Sequence, residues 1–341
     1  MKNHPATHAL AAAVLAATAA GAHAQSSVTL FGTVDLGITH VAASGGSYTG
    51  LSHSGANISR LGFRGVEDLG GGLSAGFWLE TGLAPDTGLL STSGFNRRAT
   101  VSLTDTRWGE LRLGRDDSAT FLNTLIFDPF LTNGVGGTNA FLLNGAPTIQ
   151  ISNAVSYFTP SNLGGFYGQV QHAFSEQLSS EPATGGRYDG VRLGYRSGPL
   201  HASASAAKLT GATSAQDQRF RNVGLSYDFG VVQPMLLWAS HKRGDLEVRG
   251  LQLGAKVPVG AGEIRASVAR YDTGGSNADW RKYAIGYGYN LSKRTQLYTA
   301  YARVNNKDGA QRVISAQGLT APVGSLGGRS TGYEVGVRHF F

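Results

Sequence analysis

The side chains that this sequence spaces in a chemically useful way are its arginines. Arg60 and Arg64 alternate with Leu61 and Phe63 in SRLGFRG, so both guanidinium groups share one face of an extended segment. Arg98 alternates with Ala99 and Val101, and Arg112 with Leu111 and Leu113. Glu80, Asp116, Asp117 and Asp128 are the acids that stand as their candidate partners. Rows of fixed charge can attract, orient or repel ions, but they make no covalent bond. Residues for covalent chemistry lack a recognisable arrangement. There is no cysteine, no HExxH and no GxSxG. Three of the nine histidines fall in the first 24 residues, and His40, His53, His172, His201, His241 and His339 are scattered. The chain therefore reads as a non-enzyme with no metal or other cofactor and no nucleic-acid partner. Gly134-Val135-Gly136-Gly137 lacks the strand–loop–helix setting of a nucleotide loop. Arg243-Gly244-Asp245 spells an adhesive tripeptide short enough to recur by chance.

The elements that must position these arginines are strands. Tyr283, Ile285, Tyr287, Tyr289 and Leu291 alternate with Ala284, Gly286, Gly288 and Asn290. The same period of two runs through 28–38, 191–196, 223–229 and 333–341. Sixteen such segments are expected, near 27–40, 58–67, 73–83, 95–104, 109–115, 150–159, 164–175, 187–196, 199–209, 219–228, 231–241, 246–258, 261–272, 279–291, 293–305 and 330–341. Each approaches the length that crosses a bilayer at a tilt. Short turns such as 68–72 and 197–199 alternate with longer polar connections at 41–57, 84–94, 116–149, 176–186 and 306–329. Trp78, Trp108, Trp238 and Trp280 are expected near strand ends, where aromatic girdles form.

Periodicity cannot say which face is inside, because a soluble barrel and a membrane barrel carry the same alternation. The N-terminus breaks the tie. Lys2 precedes the apolar stretch 9–22, and Ala22-His23-Ala24 suits a small-x-small cleavage site. Residues 1–24 are therefore expected to be a cleaved secretory signal and 25–341 the exported domain. No later stretch is long and apolar enough for a helical anchor. An exported chain with this many strands is expected to be all-β, a transmembrane antiparallel up-and-down barrel of 16 strands in the outer membrane, with the connection 116–149 folded into its lumen. The formal charge is +7, and removal of the signal takes only Lys2.

Four stretches carry a resemblance. SSVTLFGTVDLGI, SRLGFRGVEDLGGGL (59–73), RRATVSLTDTRWGELRLGRDD (97–117) and the ending GYEVGVRHFF resemble strands of the trimeric Gram-negative general-diffusion porins, in their β-proteobacterial branch. The likeness spans 26–341. It implies a homotrimer passing ions and small hydrophilic solutes through a water-filled pore. It also implies outer-membrane lipid and lipopolysaccharide as surroundings, and a terminal Phe341 read by the barrel-assembly machinery.

In that family wall arginines face carboxylates on the third loop, which narrows the pore. Carried over, this gives Arg60, Arg64, Arg98, Arg112 and Arg115 as wall groups, with Glu80 facing them from the third strand. Alternation alone points Arg115 outward, and only the resemblance places it on the wall. Asp116, Asp117 and Asp128 are the loop acids, although Asp128-Pro129-Phe130 departs from the family's Pro-Glu-Phe-Gly-Gly motif. Wall arginines outnumber loop acids, so a mild anion preference is expected. A substrate-specific outer-membrane channel is the alternative, and a barrel enzyme or an adhesin the more distant ones. N-terminal sequencing of protein recovered from outer membranes should begin at Gln25. A membrane-embedded chain that retains residues 1–24 would overturn the signal assignment.

Overall fold

A computed structural model describes residues 27–138, 149–175 and 185–341. The segment assigned to export lies outside the described residues. Hydrocarbon offers no hydrogen bonds, so a strand can cross it only if every backbone group finds another strand. The chain meets this demand with β1 (Ser27–Ala43), β2 (Gly46–His53), β3 (Arg60–Gly70), β4 (Leu73–Ala84), β5 (Leu89–Leu90), β6 (Arg98–Asp105), β7 (Gly109–Asp117), β8 (Gln150–Phe158) and β9 (Phe166–Ala173). It continues through β10 (Gly185–Ser197), β11 (Leu200–Gly211), β12 (Gln218–Tyr227), β13 (Gln233–Arg243), β14 (Leu246–Val259), β15 (Gly262–Thr273), β16 (Trp280–Asn290), β17 (Thr295–Asn306) and β18 (Arg329–Phe340). Neighbours pair antiparallel, and β18 returns to β1 from Thr33↔Phe340 to Ala42↔Thr331, which closes the ring.

Eighteen stretches make sixteen staves. β5 is a side hairpin on β4. β2 and β3 are two parts of one stave, because β1 pairs with β2 over Leu36–Ala43 and with β3 over Ser27–Thr33. Residues 41–57, expected as a polar connection, are therefore largely strand. The hairpin turns tightly at 44–45, with Ala43 opposite Gly46 at φ +125. The stave breaks at 54–59 because Asp35 takes its backbone. The Asp35 carboxylate accepts from Gly55 N at 3.3 Å, Ala56 N at 2.8 Å and Asn57 N at 2.7 Å. Short and long connections do not alternate strictly either. β13 and β14 meet through 244–245 alone, in the Arg243-Gly244-Asp245 hairpin at the long-loop end.

The side-chain pattern is inverted relative to a soluble barrel. In β12, Gln218, Phe220, Asn222, Gly224 and Ser226 are buried, while Arg219, Arg221, Val223, Leu225 and Tyr227 are exposed. The outward apolar side chains include Leu193 and Ile285, and tyrosines mark both edges: Tyr157, Tyr227 and Tyr289 near the turns, Tyr283, Tyr301 and Tyr333 toward the loops. Among the tryptophans, Trp108 lies in a turn as expected and Trp238 faces outward in mid-strand. Trp280 opens β16 as expected but, like Trp78, faces inward, because each shares the parity of inward neighbours (Glu80 and Lys282). Trp280 stacks on Tyr271 at 5.0 Å.

The seam is sealed at the turn end by the last residue. Gly32 and Phe341 exchange backbone hydrogen bonds at 3.2 Å each way. A Cβ at Gly32 would collide with the Phe341 ring and Arg60 O. The Gly32→Val substitution should therefore strain the closing pair by about 1–3 kcal/mol. It should lower the temperature at which the folded barrel loses its compact mobility in detergent gels, and an unchanged transition would count against the seam's tightness.

Candidate functional site

Beyond β7 the chain enters the lumen. Ser118 caps helix α1 (Ala119–Phe127) by accepting from Phe121 N at 3.1 Å, and the helix stops at Asp128, ahead of Pro129. The helix lies on the inner wall. Asn123 Nδ2 donates to Asn222 Oδ1 at 2.8 Å, and Asn222 Nδ2 donates to Thr120 O at 2.8 Å. From there the loop follows a groove of inward glycines. Phe127 fills the space over Gly224, Pro129 that over Gly254, Phe130 reaches Gly286 and Val135 reaches Gly332. Any larger side chain at these positions would occupy the loop's place. The described part of the loop thus covers the wall from the β11–β12 side round to β18. It leaves open the wall built by β3, β4, β6 and β7.

Two buried acids fix this path. Asp128 is fully buried and accepts from Phe130 N (3.2 Å), Thr132 N (2.8 Å), Thr138 N (3.1 Å), Thr138 Oγ1 (3.2 Å) and Gln252 Nε2 (3.4 Å). Glu334 Oε1 accepts from Val135 N at 3.2 Å, and the Lys282 ammonium donates to Gly137 O.

The open wall is charged. Glu80, itself buried, accepts from Arg97 Nε at 2.6 Å and Trp78 Nε1 at 3.1 Å, with Arg60 Nε at 3.9 Å. Asp116 takes Arg112 at 2.5 Å and Arg98 at 3.7 Å, and Glu110 takes the other side of Arg112 at 2.8 Å. Asp117 accepts from Gln150 Nε2 at 2.8 Å and lies within electrostatic reach of Arg60, Arg97 and Arg98. Arg64 is exposed and has no carboxylate within 4.0 Å among the described residues. Its guanidinium lies 5.3 Å from the Phe31 ring and 5.2 Å from Trp78.

Of the residues singled out from sequence, Arg60, Arg64, Glu80, Arg98, Arg112 and Asp116 come together on this wall. Asp117 ends β7 beside them rather than standing on an opposing loop. Arg115 does not join. A bulge at Gly114 precedes it, its strand partner is Ala99 on the outward face, and it bonds Asn96 O and Ser152 Oγ. Alternation is the better guide there than the resemblance. Asp128 does not face the opening, because the loop consumes its carboxylate. No other residue of 118–149 is ionisable, so the loop presents no acid across from the arginines. Sequence reasoning misses Arg97 and Glu110. Glu110 shares the parity of Arg112 and lies within reach of the same reading, whereas Arg97 falls in the expected strand 95–104 at the parity opposite to Arg98, and the strand begins only at Arg98, so alternation misdirects it. No group of His, Asp or Glu among the described residues is placed to hold a metal ion.

Comparison with known proteins gives consistent relatives. A family model described as Gram-negative porin matches residues 11–309. The chain is 42% identical over 349 residues to outer membrane porin protein 32 of Delftia acidovorans, covering 97% of this chain and 99% of that protein. It is 30% identical over 361 residues to an outer membrane porin protein of Bordetella pertussis, covering 86% of this chain and 93% of that protein. Among solved structures, an anion-selective porin from Comamonas acidovorans superposes with a TM-score of 0.82 at 39% identity, covering 93% of this chain and all of that one. OmpT of Vibrio cholerae in a trimer form gives 0.65 at 12% identity over 93% of this chain and 99% of that one, a likeness of fold alone.

Removing the acceptor at Asp128 tests the account of the loop. Asp128→Ala leaves three buried backbone donors without their partner, at about 1–3 kcal/mol each. The loop should loosen, and single barrels in a planar bilayer should conduct more, with noisier open levels. A quiet, unaltered conductance would show that Asp128 does not hold the loop.

Proposed function

This chain belongs to the Gram-negative porin family, and from that premise we propose that its wall arginines make it an anion-preferring pore. The broader function is that of an outer-membrane general-diffusion porin, a closed β-barrel that passes small hydrophilic solutes. The observation that carries the finer reading is the one-sided placement of charge. Arg60, Arg64, Arg97, Arg98 and Arg112 line the open wall, and the described loop presents no exposed carboxylate against them. Each local acid already lies beside an arginine, so Glu80 and Asp116 hold their partners in place and leave a net positive wall. A narrow passage between low-dielectric walls focuses such a field on the passing ion. The Comamonas relative, described as anion-selective, has the same fold and 39% identity. In this reading the chain conducts and does not catalyse, and the relatives named above are porins.

The surroundings follow from the outer face. Outward on β3, β4 and β6 stand Phe63, Phe77, Val101 and Leu103, with charges only at the turn-end residues Glu67 and Asp105. This sector suits contact with further copies, and a homotrimer is the assembly we favour. Across β12 to β18 the loop end carries outward Arg219, Arg221, Arg281 and Arg329 directly above the apolar band, beside the ion-paired Arg249 and Arg270. Such a belt suits the phosphates of lipopolysaccharide. Phe341 at the seam is the residue we assign to recognition by the barrel-assembly machinery, and residues 1–24 to the signal removed on export.

Reversal potentials in a salt gradient test the selectivity. Chloride should be preferred to potassium, and the Arg60→Gln/Arg98→Gln pair should move the potential toward zero by weakening the wall field. Cation preference in the parent protein would refute the reading.

A further inference from the structure

The lumen arginines differ in what backs them. Several lie against rings, some with an acid beside them as well, and Arg64 against rings alone among the described residues. The Phe31 and Trp78 centroids stand 4.8 Å apart, tilted by 60°, on the inward face of β1 and β4. Arg98 lies 4.6 Å over Trp78, and Arg64 about equally near both rings at 5.2 and 5.3 Å. Both rings are half-buried, so part of each faces the passage. The theme continues on β7–β10, where Arg112 lies 4.2 Å over Phe158 and Arg192 5.1 Å from Tyr167. Arg192, on β10, is a further ring-backed arginine whose donors are free: its Nε and Nη1 are buried and have no hydrogen-bond partner among the described residues.

We propose that this wall contains a subsite for planar aromatic carboxylates, centred on Phe31, Trp78, Arg64 and Arg98. The proposal rests on the anion-preferring reading and names the solute class that the wall favours. A guanidinium lying on a ring keeps its N–H edge for a carboxylate, and Arg64 has no protein carboxylate to satisfy that edge among the described residues. The carboxylate of the solute takes the fork of Arg64. Its ring then extends the stack over Phe31 and Trp78 by offset or edge-to-face contact. An aliphatic carboxylate gains the first interaction and not the second. A saturated ring gains apolar contact without the quadrupole that guanidinium groups and aromatic edges recognise. The binding is shallow and reversible, as passage demands, because the site lies on an open wall and not in a closed cavity.

The discriminating pair of probes is benzoate and cyclohexanecarboxylate, which carry the same charge at neutral pH and have similar size. Each is titrated into a chloride solution bathing single channels of the full barrel in a planar bilayer. Reduction of the chloride current is normalised to each variant's own current. Benzoate should half-block at a concentration roughly threefold to tenfold lower than cyclohexanecarboxylate, the range that one added aromatic contact supplies. Trp78→Leu and Phe31→Leu should each shrink that ratio, and Arg64→Lys, which keeps charge but loses the planar fork, should do likewise. Equal block by the two acids, no block by either, or a preference that survives all three substitutions would overturn the subsite. The chloride current in the same traces separates this outcome from failure of the pore itself. A folded barrel that passes no chloride would refute the underlying reading and the subsite with it.

Discussion

The constraint on which everything else depends is the lack of hydrogen-bond partners in hydrocarbon. A strand that crosses it must pair on both edges, so the sheet has to close. Here closure is achieved by β18 returning to β1, with Phe341 locked against Gly32 at the turn end. Once the sheet closes with lipid outside, side chains of the two parities are sorted. Val223, Leu225 and Ile285 face lipid, while Asn222, Ser226 and Lys282 face the interior. That sorting makes an arginine on an inward position useful. It is held in a fixed direction by a rigid wall, it is wetted by the passage, and it cannot retreat into the membrane.

The inward loop faces a related problem, because burying irregular backbone requires partners for its N–H groups. Wall and loop acids supply them. Glu334 takes the N–H group of Val135 and Asp128 takes those of Phe130, Thr132 and Thr138, as Asp35 does for residues 55–57 at the β2–β3 break. The consequence is electrostatic. Each carboxylate spent on backbone is removed from the passage, so the device that shapes the loop also leaves it uncharged toward the arginines. Glycines on every second strand from β12 to β18 complete the arrangement by giving the loop a groove to occupy.

Much of this is legible in the sequence, and the reason is geometric. A period of two maps onto two faces without ambiguity, so the sixteen staves and the directions of Arg60, Arg64, Arg98 and Arg112 follow from local pattern. Legibility fails where the period breaks. The bulge at Gly114 and the end of β7 leave Arg115 to a borrowed expectation that the structure does not follow. The break at 54–59, created by a carboxylate distant in sequence, hides the fact that 46–53 continues a stave. Asp128 cannot be placed from spacing because loop shape depends on contacts such as Asp128 to Gln252 that no local pattern encodes.

The partner that backs an arginine decides how much of its charge reaches a solute. On the outer face Arg249 pairs with Glu247 and Arg270 with Asp272, and each such pair presents little more than a dipole. Arg112, between Glu110 and Asp116, is likewise compensated within the wall. Arg64 is held by two rings instead, and a ring quadrupole orients a cation without cancelling its monopole. Its field therefore extends into the passage at nearly full strength, while the flat contact spares the side-chain freedom that an unsupported arginine would lose on meeting an anion. Aromatic backing thus reconciles two demands that usually conflict: a cation fixed in position, and a cation whose charge remains available to what passes.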